Sequence, residues 1–249
     1  MNHPLLSLTK VSLKVPSKET PIIHDLSLDV FPGEFIILLG SNGCGKSSLL
    51  KIINGLFVPT SGEISFQDKN LLELSLPQRS QSIVTLTQDL NLSTFSDLSV
   101  LENCLIALQR NKTTSISFSS KEEQKKIKEQ LHDYNPNLSE KLGVPVSTLS
   151  GGERQTLALA MNLWATPSLL LLDEHTSALD PHMAKKLMSL THETARKQKI
   201  TTLMATHNLE DALSYGTRLI VMSQGKIVLD VSNEEKRQLT RETLLSLYS

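Results

Sequence analysis

Apolar and polar residues alternate over residues 5–15 and again over 22–30, with Val11, Leu13 and Val15, then Leu26, Leu28 and Val30, on one face. A period of two predicts two half-buried strands, joined here through the polar Ser17-Lys18-Glu19-Thr20-Pro21. Two later runs are unbroken: Phe35-Ile36-Ile37-Leu38-Leu39 and Leu169-Leu170-Leu171-Leu172. Such runs suit strands covered on both faces, as in a parallel sheet. Further short strands are expected at Glu63–Phe66, Ser82–Thr87 and Ile200–Thr206, and a hairpin at Leu219–Met222 and Ile227–Leu229 through Gln224-Gly225. Helical spacing follows Ser48 up to Asn54, where Gly55 stands as a stop. It returns at Leu157, Ala160, Met161 and Trp164, where Trp164 reads as core packing, and again over about 182–198. A short polar helix closes the chain.

Between about 89 and 148 the pattern changes. Asp97–Asn103 opens a helix rich in Leu, Ile and Ala, a polar loop follows at Asn111–Ser115, and Ser120 stands three residues before Glu123. That spacing is a capping box, ahead of a charged helix reaching about His132, whose Lys and Glu read as a solvated face. Strands alternating with helices make the whole an α/β chain, and this stretch an inserted α-helical subdomain.

Composition narrows the setting. The 249 residues carry a net charge of −1 and are 39% hydrophobic, enough for a sizeable core and without the basic footprint of a nucleic-acid binder. Two cysteines, Cys44 and Cys104, are too few for a disulfide framework and read as free thiols. Met1-Asn2-His3-Pro4 lacks a charged region followed by an apolar one, so no signal peptide is expected. No apolar run approaches the roughly 20 residues that span a bilayer, so an association with membrane would run through another chain.

The chemistry centres on Gly40-Ser41-Asn42-Gly43-Cys44-Gly45-Lys46-Ser47, followed by Ser48. Placed between a buried strand and a helix, a glycine, four residues and Gly-Lys-Ser form a phosphate-binding loop. Glycines let successive N–H groups and the helix N-terminus face phosphate oxygens. Lys46 supplies a point charge for the β- and γ-phosphates, and the Ser47 hydroxyl is a Mg²⁺ ligand. A thiol inside this loop is expected to make activity sensitive to alkylation. Ser150-Gly151-Gly152-Glu153 repeats the capping-box spacing; a glycine pair at a helix start serves either as a second anion site or as an ordinary capped helix. The run ending in Asp173-Glu174 delivers two carboxylates at the C-terminal end of a buried strand, where open α/β sheets place ligands. Asp173 suits Mg²⁺ and Glu174 suits an attacking water. His207 ends another core strand; a contact to the γ-phosphate or to water is favoured there over a structural role.

In order along the chain, these motifs resemble those of the ATP-binding cassette (ABC) ATPase family. Gly40 to Ser47 is similar to its Walker A loop and Gln88 to its Q-loop glutamine, a further Mg²⁺ contact. Leu149 to Gln155 resembles the signature and Leu169 to Glu174 Walker B with its catalytic glutamate. Ser177-Ala178-Leu179-Asp180 resembles the D-loop, and His207 the switch histidine. The resemblance implies a single ABC ATPase domain over 1–249, with a P-loop NTPase (RecA-like) core sheet in 1–88 and 149–249. An antiparallel β region would lie at its N-terminus and the helical subdomain at 89–148. It implies ATP and Mg²⁺ as ligands, with Glu174, His207 and Gln88 as catalytic groups. It also implies a second copy or homologous ABC subunit, whose signature residues corresponding to Ser150, Gly151, Gly152 and Glu153 cover the nucleotide in trans.

Two positions depart from the family pattern. Val15 stands where an aromatic residue usually stacks on adenine, which implies weaker base selectivity. His175 stands where proline follows the glutamate; it is either a neutral replacement or, titrating near pH 6.5, a group that tunes Glu174.

Leu98-Ser99-Val100-Leu101-Glu102-Asn103 is similar to a stretch of importer ATPases. The resemblance therefore implies the ATP-binding subunit of a bacterial importer. It would sit at the cytoplasmic face of the inner membrane through an integral permease, with an extracytoplasmic substrate-binding protein. Asp173–Asp180 and Asn208–Gly216 resemble a subgroup with members linked to aromatic amino acids. The competing class is a soluble ABC ATPase acting as an assembly factor, as in iron–sulfur cluster biogenesis.

Overall fold

A computed structural model describes residues 3–15, 20–89, 91, 93–109, 120–164 and 166–247. The polar loop expected at 111–115 lies outside these residues, as does most of the 17–21 connection. The chain runs β1 (Leu6–Leu13), β2 (Ile23–Val30), β3 (Phe35–Leu39), α1 (Lys46–Asn54), β4 (Ser61–Phe66), β5 (Lys69–Asn70), α2 (Leu76–Ser82) and β6 (Ile83–Thr87). Four helices follow: α3 (Val100–Gln109), α4 (Lys121–Tyr134), α5 (Pro136–Ser139) and α6 (Gly151–Trp164). Then come β7 (Leu169–Asp173), α7 (Pro181–Lys197), β8 (Thr201–Thr206), α8 (Leu209–Ser214), β9 (Arg218–Ser223), β10 (Lys226–Ser232), α9 (Asn233–Lys236) and α10 (Arg241–Ser246). None of the described helices is long and apolar enough to cross a membrane.

The described chain divides into two compact units. The first comprises 1–85, 168–174 and 195–249; the second comprises 86–167 and 175–194.

The first unit holds two sheets. One is antiparallel in the order β2-β1-β4-β5; the other is ordered β10-β9-β3-β8-β7-β6, and the unit boundary falls inside its edge strand β6. In the second sheet β3 pairs in parallel with both β8 and β9, and β7 pairs in parallel with β8. Every residue of β3 and β8 is buried, which is why their sequences show no alternation. In β1 the alternation predicted over residues 5–15 is interrupted by a bulge just before Val11. Lys10 takes a left-handed backbone (φ 49) and the register shifts between Leu8 and Val11, so the buried set is Leu6, Leu8, Val11 and Leu13. Val15 lies past the strand end, half-buried. Helix α1 begins after Gly45 at φ 114 and stops at Gly55, whose N–H donates to the Ile52 carbonyl from φ 91. Its Leu49, Leu50, Ile52 and Ile53 join the core with Ile36, Leu38, Leu171 and Leu203. The hairpin turn at Gln224-Gly225 has both residues at positive φ (47 and 75), the backbone of a tight two-residue connection.

The second unit is helical. Ser120 accepts from the Glu123 N–H to start α4, as its spacing predicts. Cys104, Ile127, Leu131, Leu138, Val146, Leu157 and Ala160 form one apolar core, with Trp164 packed against it. The unit is larger than the predicted 89–148 insertion because α6 packs into this core through Leu157, Ala160 and Met161. Leu169–Asp173 instead pairs as β7 in the first unit's sheet.

Candidate active site

The phosphate loop is shaped by what stands behind it. A Cβ on Gly40 would run into the Met222 carbonyl and come within 2.6 Å of Cys44 Sγ; one on Gly45 would lie 2.8 Å from Ile23 Cδ1. Gly225 N–H donates to the Cys44 carbonyl at 2.9 Å, and the Gly225 carbonyl accepts from His24 N–H at 3.0 Å. Ser41, Asn42 and Gly43 are exposed, while Cys44, Gly45 and Lys46 are buried. Lys46 is 4% exposed; its ammonium donates to the Gly40 and Ser41 carbonyls at 2.8 and 3.1 Å. It also lies 3.8 Å from Glu174 Oε1. The Cys44 thiol contradicts the alkylation expectation. It is 5% exposed and belongs to the apolar core, turned inward beneath the loop.

Beside the loop, Ser47 Oγ donates to Asp173 Oδ1 at 2.8 Å. Burial pushes Asp173 above the usual carboxylate range; the Ser47 hydrogen bond opposes the shift and the neighbouring Glu174 charge adds to it. A hydroxyl and a carboxylate oxygen are the hard donors Mg²⁺ takes together with phosphate and water oxygens, so the pair fits the metal. Glu174 follows at φ 49, a left-handed backbone, and donates its N–H to the Ala205 carbonyl at 3.1 Å. Its Oε1 lies 3.2 Å from His207 Nδ1, and His207 is exposed at the end of β8. The first unit thus brings together Lys46, Ser47, Asp173, Glu174 and His207 from three segments of the chain.

Ser48 lies in the first turn of α1, and the remaining predicted residues belong to the second unit. Gln88 is exposed just past β6. Ser150 and Glu153 form the expected capping box: Glu153 N–H donates to Ser150 Oγ at 3.3 Å, and Glu153 Oε2 accepts from Ser150 N–H at 3.1 Å. Burial works against the Glu153 charge, but Lys141 at 2.6 Å and Ser150 hold it below the ordinary range. Ser150 and Gly151 remain exposed at the start of α6. A Cβ on Gly152 would meet the terminal methyl of Met183 at 2.6 Å, so that flexible side chain would have to move aside. Asp180 caps α7 by accepting from the His182 and Met183 N–H groups, each at 3.1 Å.

Several supporting residues were not singled out by sequence reasoning. Arg154 donates to Asn91 Oδ1 and Ser96 Oγ at 3.3 and 3.2 Å. Buried Asn103 accepts from Phe95 N–H at 2.8 Å and donates to the Phe95 and Ser99 carbonyls at 3.0 Å. The Ser99–Glu102 pair is a capping box on α3. His175 is 2% exposed. Its carbonyl accepts from Gln155 Nε2 at 2.6 Å and its Nε2 lies 3.3 Å from Thr191 Oγ1. Thr191 already donates to the Leu187 carbonyl at 2.8 Å, so it accepts from the ring, which fixes the Nε2–H tautomer. Burial lowers the pKa of His175 to about 4. The ring is therefore neutral near pH 6.5, against the expectation that it titrates there to tune Glu174.

The chain is similar to several known proteins. The profile of the family described as ABC transporter matches residues 23–177. A tyrosine transport ATP-binding protein of Clostridioides difficile (strain R20291) is 38% identical over 98% of this chain and 98% of its own length. The spermidine/putrescine import ATP-binding protein PotA of Legionella pneumophila (strain Paris) is 34% identical over 91% of this chain. The match spans 59% of that relative's length. Among solved structures, cbiO1 from Clostridium perfringens, part of the ABC transporter complex cbiONQ, superposes with a TM-score of 0.80 at 26% identity, covering 98% of this chain and 94% of that one. A dimeric post-hydrolysis state of the ATP-binding cassette MJ0796, bound to ADP and Pi, gives 0.77 at 26% identity, covering 92% and 98%.

Proposed function

The chain belongs to the ABC transporter family, and on that premise we propose that it is the ATP-hydrolysing subunit of an importer for a small, amino-acid-type solute. The observation that carries the chemistry is the convergence of Lys46, Ser47, Asp173, Glu174 and His207 in the first unit. The loop N–H groups and Lys46 bind the phosphates of ATP, with Ser48 at the first turn of α1. Ser47 and Asp173 would hold Mg²⁺, which when bound would neutralise phosphate charge. Glu174 takes the proton of the attacking water, and His207 orients that carboxylate. The exposed Ser150 and Gly151 of a second cassette cover the nucleotide, so turnover is coupled to dimer closure and opening.

The tyrosine-transport relative, aligned over nearly the full length of both chains, supports the importer reading and the amino-acid class over a soluble assembly factor. The partners are then a second ABC subunit, an integral permease and an extracytoplasmic binding protein, with this chain peripheral at the cytoplasmic face of the inner membrane. Val15 in place of a stacking aromatic predicts weak preference between ATP and GTP; a stacked base contributes roughly 1–3 kcal/mol elsewhere.

Affinity purification of the chain from detergent-extracted native membranes tests this. A stoichiometric multispanning protein, whose ATPase activity rises when a binding protein loaded with an amino acid is added, is the expected result. Soluble partners without a membrane chain would overturn it.

A further inference from the structure

Helix α6 begins on a glycine pair, Gly151 and Gly152. Glycine is the poorest helix former after proline, so this first turn has little intrinsic reason to hold its shape. What holds it comes from the segment after β6, in the same compact unit. The Arg154 guanidinium donates through Nη2 to Asn91 Oδ1 at 3.3 Å and to Ser96 Oγ at 3.2 Å, and Thr94 Oγ1 is a further contact at 3.5 Å. The backbone N–H of Arg154 donates to the Ser150 carbonyl at 2.9 Å. Ser96 also acts ahead of the helix, where its carbonyl accepts from Ser147 N–H at 2.8 Å. One residue therefore grips the chain on both sides of Ser150. Ser96 is itself anchored, because buried Asn103 of α3 bonds the Phe95 N–H and carbonyl before it and the Ser99 carbonyl after it. Stability alone does not account for an arginine here. Its buried Nε has no hydrogen-bond partner among the described residues, a cost that an apolar side chain of similar length would avoid.

We propose that Arg154 is a positioning residue for hydrolysis in the facing cassette. Clasped to Ser96, it holds the first turn of α6 so that the Ser150 hydroxyl and the free N–H groups of the helix start meet the nucleotide on the other subunit's phosphate loop. The inference rests on the reading that Ser150 and Gly151 cover ATP in trans.

The test uses the full-length protein, with ATP affinity, thermal unfolding and ATP hydrolysis measured separately. Arg154→Met keeps the length of the side chain and removes its donors; Ser96→Ala removes one acceptor and leaves the arginine. Hydrolysis is expected to fall about tenfold or more in Arg154→Met, as misplacement of a reacting group costs, and by less in Ser96→Ala, which keeps Asn91 and Thr94. ATP affinity is expected to change less than about twofold, and the unfolding temperature by less than about 4 °C. Mixing experiments separate positioning from a general defect. Lys46→Ala has a damaged phosphate loop and an intact signature, so in a mixed dimer its signature faces the undamaged loop of Arg154→Met. Mixing these two impaired proteins is expected to restore hydrolysis to the level reached by Ser150→Arg mixed with Lys46→Ala. Full hydrolysis by folded Arg154→Met would overturn the proposal. So would a loss that Lys46→Ala does not complement although it complements Ser150→Arg. Should Arg154→Met not fold, Ser96→Ala decides in the same mixture, and an absent or uncomplemented loss there sinks the proposal. Failure of the Ser150→Arg mixture as well would remove the reading of a signature acting in trans, and the proposal with it.

Discussion

Ser47 Oγ donates a 2.8 Å hydrogen bond to Asp173 Oδ1 across 126 residues of sequence. The bond follows from topology. Strands β3 and β7 both run parallel to β8, which lies between them, so the loop after β3 and the carboxylates ending β7 emerge on the same edge of the sheet. His207, just past β8, arrives there by the same rule.

Lys46 is the buried cation of that edge, hydrogen-bonded to two loop carbonyls. A hydrogen bond from a charged donor contributes about 1.5–3 kcal/mol, so Lys46→Ala is expected to weaken MgATP binding roughly 10- to 100-fold. Fluorescence titration at fixed ionic strength measures it; unchanged affinity would contradict the phosphate-loop assignment.

His175 makes stability depend on acid. Its pKa lies at about 4 in the folded chain, below the ordinary 6.5, so the unfolded state binds the proton first as pH falls. Stability is therefore lost progressively from about pH 6.5 down to about pH 4, by up to roughly 3 kcal/mol, and levels off below that. Urea unfolding at several pH values should show this slope in the natural chain and a shallower one in His175→Gln. The same slope in both proteins would mean that the ring is not the titrating group.

The thiols should be quiet. Cys44 is buried beneath the phosphate loop, and burial pushes Cys104 up to about 12, so neither offers an accessible thiolate. Maleimide is expected to leave ATP hydrolysis unchanged and to label both cysteines only after denaturation. Rapid labelling with loss of activity, prevented by MgATP, would instead turn Cys44 toward the phosphates.

What was legible in the sequence was local. The loop glycines, the Gly55 stop, the Ser120 and Ser150 caps and the apolar β7 run each carry their signal within a few residues, and the structure has each in place. Helix α2 escaped notice: its Ser75–Gln78 capping box opens only seven residues, too few to show a period. The bulge at Lys10 and the left-handed Glu174 reflect tertiary partners rather than residue type. Likewise nothing near His175 announces Gln155 or Thr191, which lie 20 and 16 residues away. The extent of the second unit was hidden for a related reason. Helix α6 looks alike whichever core it joins, and only the packing of Leu157 and Ala160 beside Cys104 decides.

The central claim is that ATP held by Lys46, Ser47 and Asp173 is hydrolysed with Glu174 as base and closes two cassettes on each other. The most direct measurement is light scattering of the purified Glu174→Gln protein with and without MgATP, with bound nucleotide counted. The account predicts a monomer without nucleotide and a stable dimer holding ATP at both loops, with hydrolysis nearly abolished. A Glu174→Gln protein that stays monomeric at saturating MgATP, or that turns ATP over at the natural rate, would contradict it.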